Sequence, residues 1–98
     1  MRYFDLDGNE IPEEQFVALY ANTQLKQIRR TKTEGGYVST VWLGIDHNWL
    51  PTGPPLIFET MVFGGPMDTY QRRYSTYWEA VAGHDEIVTL EAMEREFV

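Results

Sequence analysis

The sequence predicts an α+β domain: a small antiparallel meander sheet of three to five strands, with a short N-terminal helix and a longer C-terminal helix packed on one face. Three observations carry this. YVSTVWLGI alternates with period two and LIFETMVF is a strongly apolar run, so both read as strands. Gly35-Gly36 joins the first of them to a preceding extended segment as a β-hairpin. TYWEAVAGHDEIVTLEAMEREF reads as a helix opened by a capping box, Thr76 with Glu79 three residues on. That order of elements segregates the helices to one side of a sheet. The 98 residues leave room for a single domain, 1–98, with one modest core.

RYFDLDGNEI is a short strand closing on a turn at Asp7-Gly8-Asn9, where Gly and Asn tolerate positive φ. Asp5, Asp7 and Asn9 also match the first, third and fifth positions of a calcium loop. Glu10 stands where that loop needs glycine and Phe16 where it needs a bidentate glutamate, so the turn reading is preferred. IPEEQFVALYAN is a helix: Pro12 suits its first turn, Glu13 and Glu14 complement its positive end, and Phe16, Leu19 and Tyr20 form an apolar stripe. Asn22 and Thr23 end it. Lys26 to Glu34 is extended. In the next strand Tyr37, Ser39, Val41, Leu43 and Ile45 share one face and Val38, Thr40 and Trp42 the other. Both faces are partly apolar, which marks a central strand covered by a helix on one side and by a partner or loop on the other. HNWLPTGPP, rich in proline, cannot continue a strand. LIFETMVF ends at Gly64-Gly65-Pro66, and QRRYS is a last short strand. Gly83 inside the C-terminal helix costs roughly 1 kcal/mol relative to Ala, which points to close packing there.

Composition narrows function. Hydrophobic residues at 43% and charged residues at 23% are ordinary for a globular chain. No window approaches the ~20 apolar residues of a membrane span, and the N-terminus lacks the order of a secretory signal, so no membrane partner is expected. Without cysteine there is no disulfide, thiolate nucleophile, iron–sulfur cluster or Cys-type zinc site. No cofactor is implied. A net charge of −7 argues against general nucleic-acid binding, which depends on many basic residues neutralising phosphates. The basic residues are nonetheless clustered: Lys26, Arg29, Arg30 and Lys32 in one segment, Arg72 and Arg73 in another.

Catalytic patterns are weak. A Ser/His/Asp hydrolase would need Ser39 or Ser75 with His47 or His84, yet Ser39 lies inside a strand, Ser75 beside a helix start, and no G-x-S-x-G elbow is present. Asp46-His47 and His84-Asp85 could converge on a divalent ion, but no ligand spacing forces this. His84 aligns with Tyr77, Val81 and Val88 on the inward helix face, which favours a hydrogen-bonded core histidine. Glu59, the lone acid in its strand, is expected to pair with Arg29 or Arg30 across the sheet. Tyr37, Trp42, Trp49, Phe58, Phe63, Tyr74, Tyr77 and Trp78 suffice for a small core. Trp49 lies in the Pro/Gly loop and is either a plug folded onto that core or the lip of a pocket. In the second case it stands with Arg29, Arg30, Arg72 and Arg73 in a site that stacks a base and clamps phosphates.

The phrases STVWLGIDHNWLPTGPPLIFETMVFGGPMD and RYSTYWEAVAGHDEIV resemble a family of small proteins encoded by bacteriophages of actinobacteria, from about Val38 to Val88, with a weaker echo in YFDLDGNEI. The resemblance implies a non-structural accessory protein in the cytoplasm of the infected cell and carries over no catalytic residue. The expectation is a non-enzymatic protein that counters host defence by sequestering a nucleotide-type signal. Arg29, Arg30, Arg72 and Arg73 would hold its phosphates, and His47 and Trp49 its base. One alternative is an acidic module that inhibits a host protein through Glu79, Asp85, Glu86, Glu91, Glu94 and Glu96. Another is a small hydrolase acting on a phosphorylated substrate. A homodimer is expected, since a small sheet with a free edge gains by covering it.

Overall fold

The computed structural model describes residues 1–50 and 52–96, the side chains of residues 95 and 96 excepted. The elements are β1 Tyr3–Phe4, β2 Glu10–Ile11, α1 Glu13–Tyr20, α2 Thr23–Lys26, β3 Gln27–Lys32, β4 Gly36–Trp42, β5 Phe58–Gly64, β6 Gln71–Tyr74 and α3 Tyr77–Glu96. Strands β3 to β6 form a four-stranded antiparallel meander in sequence order, and β1 and β2 form a separate hairpin. The expected continuation of α3 to Phe97 and the side chain of Glu96 lie outside the described residues.

Period two decides which side each strand residue takes. Val38, Thr40 and Trp42 of β4 stand beside Val62, Thr60 and Phe58 of β5, and all six are buried. Helix α3 lies across them with Ala80, His84, Ile87 and Glu91. Of the expected inward line Tyr77–Val81–His84–Val88 only His84 is fully buried: Ala80 and Ile87 take the places expected for Val81 and Val88, which are half-buried, and Tyr77 is at the rim. The capping box forms as read: Glu79 N–H donates to Thr76 Oγ1 at 3.1 Å, and Thr76 N–H returns a bond to Glu79 Oε1 at 3.1 Å. At the Trp42 end the same face is closed by α1 and the β1–β2 hairpin, where Phe16 packs on Tyr3 and Trp42. Asp5 makes the predicted turn, its Oδ1 accepting from Asp7 N–H and Asn9 N–H.

Two local features escape the sequence reading. Asn22 does not merely end α1: its side chain accepts from Gln24 N–H and Leu25 N–H and starts the short α2. Strand β3 carries a bulge between Gln27 and Arg29. The hairpins meet at Gly36 and Gly64, directly opposed on β4 and β5, where a Cβ on Gly36 would overlap the Phe63 carbonyl.

Among the described residues nothing buries the other face of the sheet. Arg30, Lys32, Tyr37, Ser39, Val41, Glu59, Met61, Phe63, Gln71 and Arg73 lie on it, half-buried or exposed. Among the described residues no helix is long and apolar enough to cross a membrane.

Candidate functional site

The alternation that builds the sheet divides each pair of consecutive arginines between its two faces. Arg29 stands opposite Thr40 on the helix side, with Nη1 2.7 Å from Asp85 Oδ1. Arg72 stands opposite Thr60 on the same side, 3.3 Å from Glu86 Oε2, and donates to the Tyr70 hydroxyl at 3.2 Å. That bond, with the nearby carboxylate, holds its guanidinium above its ordinary pKa. Arg30 and Arg73 turn instead to the open face, but on β3 and β6, the opposite edges of the sheet. The four guanidinium groups do not form one clamp.

Glu59 finds an arginine, though neither of the expected two. Arg73 lies directly opposite it on β6, Nε to Oε2 2.9 Å, whereas Arg30 faces Ser39 on β4, one strand short of Glu59. The pairing depended on strand order, which places β5 beside β6 and not beside β3.

Trp49 is no plug: it is 89% exposed, and Leu50 beside it 71%. The loop that presents it is braced from within. Asp46 Oδ1 accepts from Asn48 N–H at 2.8 Å and from Leu56 N–H at 2.9 Å, and His47 N–H donates to the Leu56 carbonyl at 2.9 Å. Asn48 donates to the Pro54 carbonyl at 3.0 Å and accepts from Leu50 N–H at 3.0 Å. Asp46 is therefore a loop-forming residue. Asp46→Ala is expected to cost about 1–2 kcal/mol and to speed amide exchange at Asn48 and Leu56 while leaving Thr40 and Thr60 protected.

His84 lies beneath the sheet with both ring nitrogens engaged, Nδ1 2.7 Å from Thr40 Oγ1 and Nε2 2.7 Å from Thr31 Oγ1. Burial pushes its pKa down. His47 stands in the loop, and neither ring nitrogen of His84 is left over to share a ligand with it. Among the described residues no group of three or more His, Asp or Glu is placed to hold a metal ion.

What the fold does gather lies on the open face at the hairpin end. The Arg30 guanidinium sits 4.0 Å from the centroid of the Tyr37 ring, which stacks on Phe63 at 4.7 Å. Arg30, Lys32, Gly36 and Tyr37 line a shallow depression of about 450 Å³. Among the described residues Arg2, Arg29, Arg72 and Arg73 are each in an ion pair and Arg30 is in none. A second depression, of about 340 Å³, is lined by Leu56, Gln71, Arg72 and Arg73 at the other edge. Lys32, Tyr37 and Phe63 lie outside the expected site, because an aromatic on a strand reads as core until the face it takes is known. Placing Val38, Thr40 and Trp42 under the helix would have put Tyr37 on the open side. Comparison with protein-family models, with curated proteins and with solved structures finds no match to this chain.

Proposed function

We propose that the chain is a non-enzymatic phage accessory protein that sequesters a nucleotide-type signal of host defence in the infected cell, and that it does so on the open sheet face. The observation that carries the binding site is Arg30: a guanidinium with no carboxylate partner among the described residues, held over an aromatic ladder beside Lys32. Phosphate groups suit Arg30 and Lys32, and a planar base suits the Tyr37–Phe63 pair. The phage and defence part of the proposal rests on the sequence resemblance alone.

The acidic-module alternative has less free charge to work with than the sequence suggests. Asp85 and Glu86 pair with Arg29 and Arg72, Glu79 caps α3, and Glu91 is buried and accepts from Met67 N–H. A dimer formed along the β3 edge is opposed by the bulge and by Arg29, Arg30 and Lys32, devices that keep edges from pairing.

Thermal denaturation with a panel of linear and cyclic nucleotides tests the proposal. Ligand at 100 times Kd should add about 2.7 kcal/mol to stability. Arg30→Ala, at an exposed position, should weaken the responding ligand roughly tenfold or more without altering the unliganded transition. Absence of a response to every member at millimolar ligand, or responses in Arg30→Ala and Tyr37→Ala as large as in the wild type, would overturn it.

A further inference from the structure

At the end of the sheet away from the Arg30 depression, the Asp5–Gly8 turn and the start of α3 border a third concavity. Its volume is about 470 Å³, and Leu6, Asp7, Thr76, Tyr77 and Trp78 line it. Tyr77 and Trp78 meet edge to face, centroids 5.1 Å apart with planes at 87°, so they form two walls of a corner. Trp78 is 76% exposed, an unusual position for an indole that the hydrophobic effect alone would bury. One wall is anchored: Tyr77 meets buried Phe58 edge to face, centroids 6.4 Å apart, and the adjacent Thr76 is tied into the capping box. Asp7 completes the lining and, among the described residues, its carboxylate is in no ion pair.

From this geometry we infer a second binding site, specific for an arginine side chain presented by an extended basic segment of a partner protein. Three properties of the corner select that group. Aromatic faces carry negative quadrupole density and attract cations, Trp most strongly. A planar guanidinium stacks on an indole while its edge donates in parallel to a carboxylate, which a compact ammonium cannot do. An anionic ligand meets repulsion from Asp7, and a neutral one leaves that carboxylate desolvated without a partner. The positive end of α3 would oppose a cation, but Glu79 Oε1 already accepts from Thr76 N–H there at 3.1 Å and offsets it. The net charge of −7 draws a basic segment toward the molecule. This site is independent of the open face and does not rest on the nucleotide proposal.

The test is a titration of the intact chain, followed by ¹H–¹⁵N NMR, with a peptide of alternating Arg and Gly. A matched peptide carrying citrulline, the neutral isostere of arginine, is the control. The expected result is saturable shifts confined to the Trp78 indole N–H and the Asp7, Gly8 and Thr76 amides, with the citrulline peptide silent. Trp78→Ala and Asp7→Asn, both at exposed positions, should each weaken the arginine peptide by roughly two- to fivefold or more. No shift at millimolar peptide would overturn the site. So would equal response to citrulline, or shifts spread along Asp85, Glu86 and Glu94 that both variants leave unchanged, which is diffuse attraction to an acidic surface.

Discussion

His84→Ala is expected to lower stability by about 3–4 kcal/mol, a large part of the 5–15 kcal/mol typical of a domain. The cause is a hydrogen-bonded chain buried between α3 and the sheet. Tyr74 O–H donates to Thr60 Oγ1 at 3.0 Å, Thr60 and Thr40 hydroxyls are 2.6 Å apart, and His84 bridges Thr40 to Thr31. Starting from the tyrosine proton, Thr60 and Thr40 each accept once and donate once, and Thr31 accepts at the far end, if His84 is neutral with its proton on Nε2. Alanine leaves Thr40 without an acceptor in a fully buried site and opens a cavity where the imidazole stood. Protonating His84 does similar damage, because Nδ1–H would point at Thr40 and reverse donation along the chain.

Burial lowers the folded-state pKa of His84 below the ordinary 6.5, with Asp85 opposing and Arg29 assisting. The unfolded chain then binds more protons than the folded one, so stability is full above about pH 6.5 and falls as pH drops from there toward the folded-state pKa. Urea unfolding at pH 7.5 and 5.5 checks both points. The midpoint of the wild type should fall with acidification, and the contribution from His84 should vanish in the variant. Similar midpoints for the two proteins at pH 7.5 would show that the threonine–histidine chain contributes little.

The capping box at Thr76, the turn at Asp5, the hairpin glycines and the role of His84 were readable from sequence because each depends on neighbours within a few positions or on the period of its own element. The partner of Glu59 was not, because it depends on the order of strands. The arginine pairs mislead for a related reason. Proximity along a strand means opposition across the sheet, and Arg29 and Arg30 separate for the same reason that Val38 and Tyr37 do. Trp49 is exposed on a loop whose base is tied by the bond between Asp46 and Leu56, ten residues apart, a pairing that no local pattern announces. Helix α3 is acidic, but Asp85 and Glu86 answer arginines on the sheet edges, so composition overstates its free charge.

Gly83→Ala is expected to destabilise the protein, although helix propensity alone predicts a gain of about 1 kcal/mol. Helix α3 crosses the sheet with Ala80 and Gly83 toward Tyr74, and a Cβ on Gly83 would come closer than 3.0 Å to Cε1, Cζ and Oη of that ring. Tyr74 is buried and its hydroxyl begins the polar chain, so it can yield only by giving up the bond to Thr60. Overpacking of about 1–3 kcal/mol plus the lost bond outweighs the propensity gain, leaving a net loss of about 2 kcal/mol. For a domain of this size that is a fall in melting temperature of about 8–16 °C. The decisive comparison is the same substitution in a Tyr74→Leu background, where the smaller side chain leaves room for the methyl group. There Gly83→Ala should be neutral or stabilising, because only the helix term remains. Equal losses in the two backgrounds would mean that the glycine serves the helix itself and not its contact with β6.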